Sequence, residues 1–213
     1  VLEVGCGWGG FVEFAARRTG CHVTGITLSR EQLAYGLERI KTAGLQDRVE
    51  LRLQDYRDVG DQFDRIVSIE MFEAVGERYW PIYFDRLRRC LAPNGQAVLQ
   101  VITIAEDRFE SYRRDTDFIQ KYIFPGGLLP SPNQVAAAAR SGGLRVSESF
   151  FFGDSYARTL AEWTHRFKVG WLPLVELGFD DRFRRMWEFY LAYCEAGFRA
   201  GTVDVGHFLL EPN

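Results

Sequence analysis

A chain of 213 residues with 46% hydrophobic and 15% aromatic side chains has the apolar material for one sizeable core, which excludes a disordered tail and makes a single domain over 1–213 the default. Its net charge of −3 argues against a nucleic-acid partner, because that affinity rests on a basic surface that neutralises phosphates. The four cysteines (Cys6, Cys21, Cys90, Cys194) form no C-x-x-C pair and have no histidine at ligand spacing, so no metal site and no disulfide framework are expected, and a cytoplasmic setting is.

The chain begins without Met, directly inside its first strand, so the expectation is that an upstream N-terminal segment is missing. Short apolar runs then alternate with amphipathic segments: strand 1–4, helix 10–19, strand 22–26, helix 29–43, strands 48–53 and 64–69, helix 78–91 and strand 96–102. That βαβ rhythm predicts an α/β fold with a doubly wound, mostly parallel, seven-stranded sheet and ligands at the carboxyl ends of its strands. After Ile104 the pattern changes to a charged helical stretch 106–121, a turn-rich Phe124–Pro132 and a helix 133–141, which together read as a helical lid inserted at about 105–141. A strand 143–152, helices 155–170 and 181–198 and a strand 203–210 complete the chain. The aromatic stripe of 181–198 reads first as packed core. No run approaches the roughly twenty apolar residues of a membrane span, so contact with lipid is expected to be peripheral.

The richest segment is the opening Val1-Leu2-Glu3-Val4-Gly5-Cys6-Gly7-Trp8-Gly9-Gly10, a strand that breaks into a turn with four glycines. Glycine suits a backbone that takes positive φ or approaches a ligand closely, and the helix that follows aims its first N–H groups at the same place. Glu3 lies inside the strand end, unlike the acidic residue of the dinucleotide fingerprint, which comes about twenty residues later. The pattern Glu-x-Gly-x-Gly-x-Gly resembles motif I of class I S-adenosylmethionine-dependent methyltransferases.

Further segments narrow the resemblance. Gly-Cys-Gly-Trp-Gly-Gly, Thr-Leu-Ser-x-x-Gln at 27–32, Gln54-Asp55-Tyr56, Ser68-Ile69-Glu70-Met71-Phe72-Glu73-Ala74-Val75-Gly76, Tyr122–Gly127 and Phe198-Arg199-Ala200 resemble, in order, the cyclopropane-fatty-acyl-phospholipid synthase family. The resemblance implies methylene transfer from S-adenosylmethionine to the cis double bond of an unsaturated phospholipid acyl chain. It implies an enzyme peripheral to the inner face of the membrane, a possible homodimer, and cofactor contacts from Glu3, Gly5, Cys6, Gly7, Trp8, Gly9 and Gly10. Thr27, Leu28, Ser29 and Gln32 would lie at the ribose, and Gln54 and Asp55 at the adenine. It also implies a bound bicarbonate as base, held by Ile69, Glu73, Gln100, Ile102 and Tyr156, with Cys194 where the family has a cysteine once proposed to act on the cation. Gln100 stands where bacterial-type members carry histidine, and the stretch Leu99–Ile104 resembles the plant-type branch, which also has glutamine there.

Plainer readings stand beside these. Ser29 is a sufficient helix cap, Asp55 a turn residue, Glu73 a helix N-terminal charge, Tyr156 a core tyrosine, and Cys194 a buried thiol with nothing nearby in sequence to lower its pKa. The three histidines read as structural or exposed. Rival functions are methyl-branched or methylene fatty acid synthesis, N-methylation of a small amine, and a non-catalytic cofactor- or lipid-binding module.

Overall fold

A computed structural model describes the whole chain, Val1–Asn213. The first half contains β1 (Leu2–Val4), α1 (Gly10–Thr19), β2 (Val23–Thr27), α2 (Arg30–Thr42), β3 (Val49–Leu53), β4 (Phe63–Ile69), α3 (Trp80–Cys90) and β5 (Leu91–Ile104). The second contains α4 (Phe109–Tyr112), α5 (Phe118–Tyr122), α6 (Pro132–Ser141), β6 (Leu144–Phe151), α7 (Gly153–Val169), α8 (Trp171–Glu176), α9 (Asp181–Arg199) and β7 (Val203–Pro212). The strands form one seven-stranded sheet in the order β3-β2-β1-β4-β5-β7-β6, and β3, β2, β1, β4 and β5 run parallel, as the doubly wound expectation requires.

Packing divides the chain into two compact units, one of residues 1–101, 133–149 and 207–213, the other of 102–132 and 150–206. In the first unit, Cys6, Val12, Ala15, Ala16, Val23, Ile40 and Val49 bury one face of α1 and α2 against the sheet. A second cluster joins the rings of Phe72, Trp80, Tyr83 and Phe84, with Phe72 between 5.1 and 5.3 Å from each of the other three. Gly142 lets α6 end against α3: a Cβ there would collide with Phe84 Cβ and would stand 2.7 Å from the Asp85 backbone nitrogen. In the second unit α7 packs along α9 around Ala157, Leu160, Leu191, Phe198 and Val205. The stripe on α9 is core in part, since Trp187, Tyr190 and Cys194 pack against that cluster while Phe189 and Tyr193 remain exposed.

Several boundaries differ from those expected, for local reasons. The expected helix 106–121 is broken, because Asp117 and Gln120 form a capping box that opens α5 afresh. Helix α3 starts at Trp80, with Pro81 in its first turn where the lost N–H costs nothing. Strand β5 starts at Leu91, earlier than expected, and absorbs Asn94 at φ 62° with a pairing irregularity opposite Phe63 and Arg65. Helix α7 starts at Gly153, whose N–H donates to Asp204 at 2.8 Å. Helix α8 was not expected: Gly170, Pro173 and Gly178 bracket or interrupt it, and sequence punctuation of that kind reads as loop.

Candidate active site

The parallel strands bring their carboxyl ends into line. Val4 stands opposite both Ile26 and Ser68, and Ile69 opposite Gln100. At the end of β1 the chain turns at once, with the N–H groups of Gly5 and Cys6 both donating to the Ile26 carbonyl at 3.1 and 2.9 Å. Gly5 and Gly9 take φ of 80° and Gly7 takes 52°, so the turn needs glycine at all three. A Cβ on Gly5 would meet Met71 Cγ at 2.9 Å, whereas one on Gly7 would meet nothing within 4 Å and would project into open space. Gly9 is the N-cap of α1, whose first N–H groups border the same space. Trp8, 53% exposed, stands edge-on to Tyr35 at 5.4 Å beside it.

Beneath the turn lies Glu3, 3% exposed, with Oε2 buried and without a hydrogen-bond partner. Burial raises its pKa to about 8, and the Val12 backbone N–H offsets only part of that rise. The same burial, with Glu3 nearby, pushes the Cys6 thiol up to about 11, so Cys6 is a neutral packing group. A buried carboxyl with one oxygen unpartnered, under a glycine turn with room above it, fits a cationic ligand such as S-adenosylmethionine, which carries an ammonium and a sulfonium.

At the end of β2, Thr27 Oγ1 donates to Gln32 Oε1 at 2.7 Å and accepts from the Ser29 N–H at 3.1 Å. Ser29 caps α2, its Oγ accepting from the Gln32 N–H at 3.1 Å. The predicted ribose residues therefore form one small polar network, and Leu28, 71% exposed, adds an apolar lip. After β3 the outcome is less favourable to the expectation. Asp55 takes the Arg57 guanidinium on both oxygens, at 2.9 and 2.6 Å, and also caps the following turn through the Arg57 N–H. Its carboxyl is held below the usual range by Arg57, so the turn-residue reading accounts for the geometry. Gln54 Nε2 donates to the Asp58 carbonyl at 3.0 Å.

At the ends of β4 and β5 the structure joins residues that the sequence did not pair. Glu70 takes φ of 51°, a backbone region that costs a non-glycine residue about 1 kcal/mol or more. There its N–H donates to the Gln100 carbonyl at 2.9 Å and its Oε1 accepts from Gln100 Nε2 at 2.7 Å. The other end of the Gln100 amide, Oε1, lies 3.0 Å from His207 Nε2. Glu70 belongs to the Ser68–Gly76 motif, and linear sequence assigns neither it nor His207 a role at this site. Only the pairing of β4 with β5 and the arrival of β7 beside β5 make the contact, and neither is visible in linear spacing. Gln100 was expected to hold a bicarbonate. Its carbonyl and one of its two N–H bonds are engaged, and Glu70 brings a negative charge to the same place, so these residues fit a bound bicarbonate poorly.

Glu73 sits in a turn of 3-10 helix over Phe72–Ala74, and its Oε2 is buried. It lies close enough to Tyr83 to add to the rise of that phenol's pKa, which burial dominates and which the Ser68 hydroxyl opposes. The Ser68 and Tyr83 hydroxyls are both fully buried, adjacent, and short of a well-formed hydrogen bond. Ile69 ends β4 next to these groups. Among the second unit's residues, Ile102 and Tyr156 pack against the α7/α9 cluster, Tyr156 with its ring 5.0 Å from Phe198 and 6.2 Å from Trp163. Cys194 packs there too, and burial, with the Asp117 charge, pushes its thiol up to about 12, which favours the protonated form.

Known proteins resemble this chain in sequence and fold. The chain is 46% identical over 211 residues to the tuberculostearic acid methyltransferase UfaA1 of Mycobacterium tuberculosis, covering 99% of this chain and 49% of that one. It is 39% identical over 208 residues to the cyclopropane-fatty-acyl-phospholipid synthase of Escherichia coli, covering 96% and 51%. It thus spans about half the length of these curated relatives. Among solved structures, the mycolic acid cyclopropane synthase CmaA1, complexed with SAH and CTAB, superposes with a TM-score of 0.90 at 28% identity over 98% of this chain and 76% of that one. The cyclopropane synthase MmaA2 of Mycobacterium tuberculosis gives the same TM-score at 27% identity and the same coverage. The sheet is accordingly that of a class I methyltransferase. With the model for mycolic acid cyclopropane synthetase matching residues 1–208, the chain belongs to that family.

Proposed function

We propose that this chain is an S-adenosylmethionine-dependent enzyme that transfers a one-carbon unit to the cis double bond of an unsaturated phospholipid acyl chain, with a cyclopropane fatty acid as its product. The observation that carries the reading is the glycine turn over the buried Glu3, whose Oε2 has no hydrogen-bond partner, in a chain of this family. When bound, S-adenosylmethionine supplies an electrophilic methyl group. Glu3 would face the cofactor's positive charge, Gly5, Gly7 and Gly9 would let the backbone approach it, and Thr27 with Gln32 would meet the ribose.

An alkene that accepts the methyl becomes a carbocation, and ring closure then requires loss of one proton from the new methyl. The aromatic cluster of Phe72, Tyr83 and Phe84 behind Glu73 keeps that face of the site free of water, which would otherwise capture the cation. The proton acceptor is drawn from the carboxylates at the end of β4, Glu73 and Glu70, and Gln100 fixes the orientation of Glu70. A second reading has a specific observation behind it: the relative at 46% identity is named a tuberculostearic acid methyltransferase, which favours a methyl-branched product from the same cation. Proton loss from that cation without ring closure leaves an alkene bearing the added carbon as a methylene or methyl branch, and a saturated methyl branch would need a separate two-electron reductant to reduce that alkene.

The test is incubation of the protein with methyl-labelled S-adenosylmethionine and oleoyl phospholipid vesicles, followed by mass analysis of the fatty acid methyl esters. Label in a product one CH₂ heavier, with the double bond replaced by a ring, supports cyclopropanation. The same mass with a surviving double bond supports methylene formation. No labelled lipid under conditions where the cofactor binds overturns both.

A further inference from the structure

The second unit carries a feature that the transfer reaction does not use. Between α7 and α9, residues 169–179 fold into a tip around α8 that turns large apolar side chains outward. Leu172 is 76% exposed, Leu177 75% and Val169 71%, and Val175 and Phe179 are exposed as well. Scattered exposed apolar residues are ordinary, but five within eleven consecutive residues make a patch that calls for a partner. The tip is also built to stay in place. Phe179 packs on Phe183 at 4.6 Å, Phe183 on Trp187 at 5.6 Å, and Phe167 on Trp171 at 5.7 Å, so aromatic rings anchor it from below.

Several of its backbone N–H groups are bonded within the tip. The Gly170 N–H donates to the Arg166 carbonyl at 2.8 Å, Gly178 to Val175 at 2.9 Å, Phe179 to Leu174 at 3.1 Å and Leu177 to Leu174 at 3.1 Å, while Pro173 has no N–H to satisfy. Internal satisfaction of backbone polar groups is what entry into the acyl boundary of a bilayer demands. The rim supplies the matching charge. From 165 to 185 there are five basic residues, Arg166, Lys168, Arg182, Arg184 and Arg185, against three acids, in a chain whose net charge is −3. Of those acids, Asp180 caps α9, Asp181 pairs with Arg184 at 3.2 Å and Glu176 is exposed on α8, while Arg166 pairs with Glu162 at 2.7 Å, so the headgroup charge rests on Lys168, Arg182 and Arg185.

We propose that this tip is a membrane-docking element that inserts Leu172, Leu177 and Val169 into the acyl boundary of an anionic phospholipid bilayer, with Lys168, Arg182 and Arg185 at the headgroups. An apolar patch with a basic rim binds such surfaces by combining apolar burial with attraction to anionic lipid. The proposal rests on the lipid-modifying reading above, in that it names the surface from which the acyl substrate would be drawn.

Flotation of the 213-residue chain with vesicles of oleoyl phosphatidylglycerol, and of oleoyl phosphatidylcholine for comparison, tests it. The wild type is expected to float with the anionic vesicles, and less with the zwitterionic ones. The double variant Leu172→Asp/Leu177→Asp is expected to lose roughly tenfold or more of its vesicle-bound fraction, with unchanged thermal midpoint and unchanged affinity for S-adenosylmethionine. Arg182→Glu/Arg185→Glu should lower anionic binding alone. Wild-type failure to float, or flotation of the Asp variant at the wild-type level, overturns the proposal. So does a wild-type dimer that the Asp variant converts to monomer without any change in vesicle binding, because a second copy would then be what covers the tip. Tip-dependent flotation without labelled lipid product would retire the transfer reading and leave the docking surface standing.

Discussion

Replacing Glu3 with glutamine tests the cofactor side of the site without altering its shape. In the free protein the Glu3 carboxyl is raised from 4.5 to about 8 by burial, which corresponds to about 5 kcal/mol of preference for the neutral form at about 1.4 kcal/mol per pH unit. The folded state therefore holds a proton between those two pH values that the unfolded chain has already released. Stability from this group is full below pH 4.5 and declines as pH rises, levelling off above pH 8. Glutamine has no such dependence. The variant should match the wild type near pH 4.5, exceed it by about 3 kcal/mol at pH 7, and exceed it by about 5 kcal/mol above pH 8. Urea unfolding at several pH values reads the difference directly. Affinity should move the other way, because the amide cannot face the cofactor's positive charge, so calorimetric binding of S-adenosylmethionine should weaken by tenfold or more, roughly one charge-assisted hydrogen bond. Wild-type binding near pH 7 should also release a proton, visible as a dependence of the measured heat on buffer ionisation enthalpy. A stability difference between variant and wild type that stays flat from pH 5 to pH 9 would refute the assignment.

Three further perturbations separate chemistry from architecture. Glu73→Gln should abolish label transfer to lipid while changing cofactor affinity less than twofold by calorimetry; a large loss of affinity would move Glu73 from the reacting side of the site to the binding side. Ser29→Ala removes the cap of α2 and the partner of the Gln32 N–H, so it should cost about 1 kcal/mol in urea unfolding, with a modest loss of cofactor affinity as the Thr27–Gln32 pair loosens. Gly142→Ala forces a methyl against the backbone of α3 and should cost at least about 2 kcal/mol; a thermal midpoint at the wild-type value would mean that α6 yields more easily than its contacts imply.

How far the sequence reached depends on where each contact is encoded. The βαβ half was legible because parallel strands buried on both faces leave apolar runs that stand out, and the glycine turn because positive φ restricts the residue choice at Gly5, Gly7 and Gly9. Ser29 was legible as a cap for the same local reason. What linear reading could not reach were contacts closed by the sheet: Gln100 meets Glu70 thirty positions earlier and His207 over a hundred positions later. The break at Asp117 was missed because a capping box inside a charged helical stretch looks like more helix. For Asp55 the local contact was equally legible, since Arg57 lies two residues away and its guanidinium meets both oxygens.

The left-handed backbone at Glu70 binds two positions into a single choice. At φ 51° the Glu70 side chain accepts from the Gln100 amide, which offsets part of the backbone strain. Substituting Gln100 alone removes the amide that the Glu70 carboxylate accepts from, and glycine alone at 70 relieves the backbone but removes one partner of the amide. Anyone redesigning this chain for a different product would have to vary residues 70 and 100 as a pair, and a library that samples them one at a time would discard the productive combinations before they were ever made.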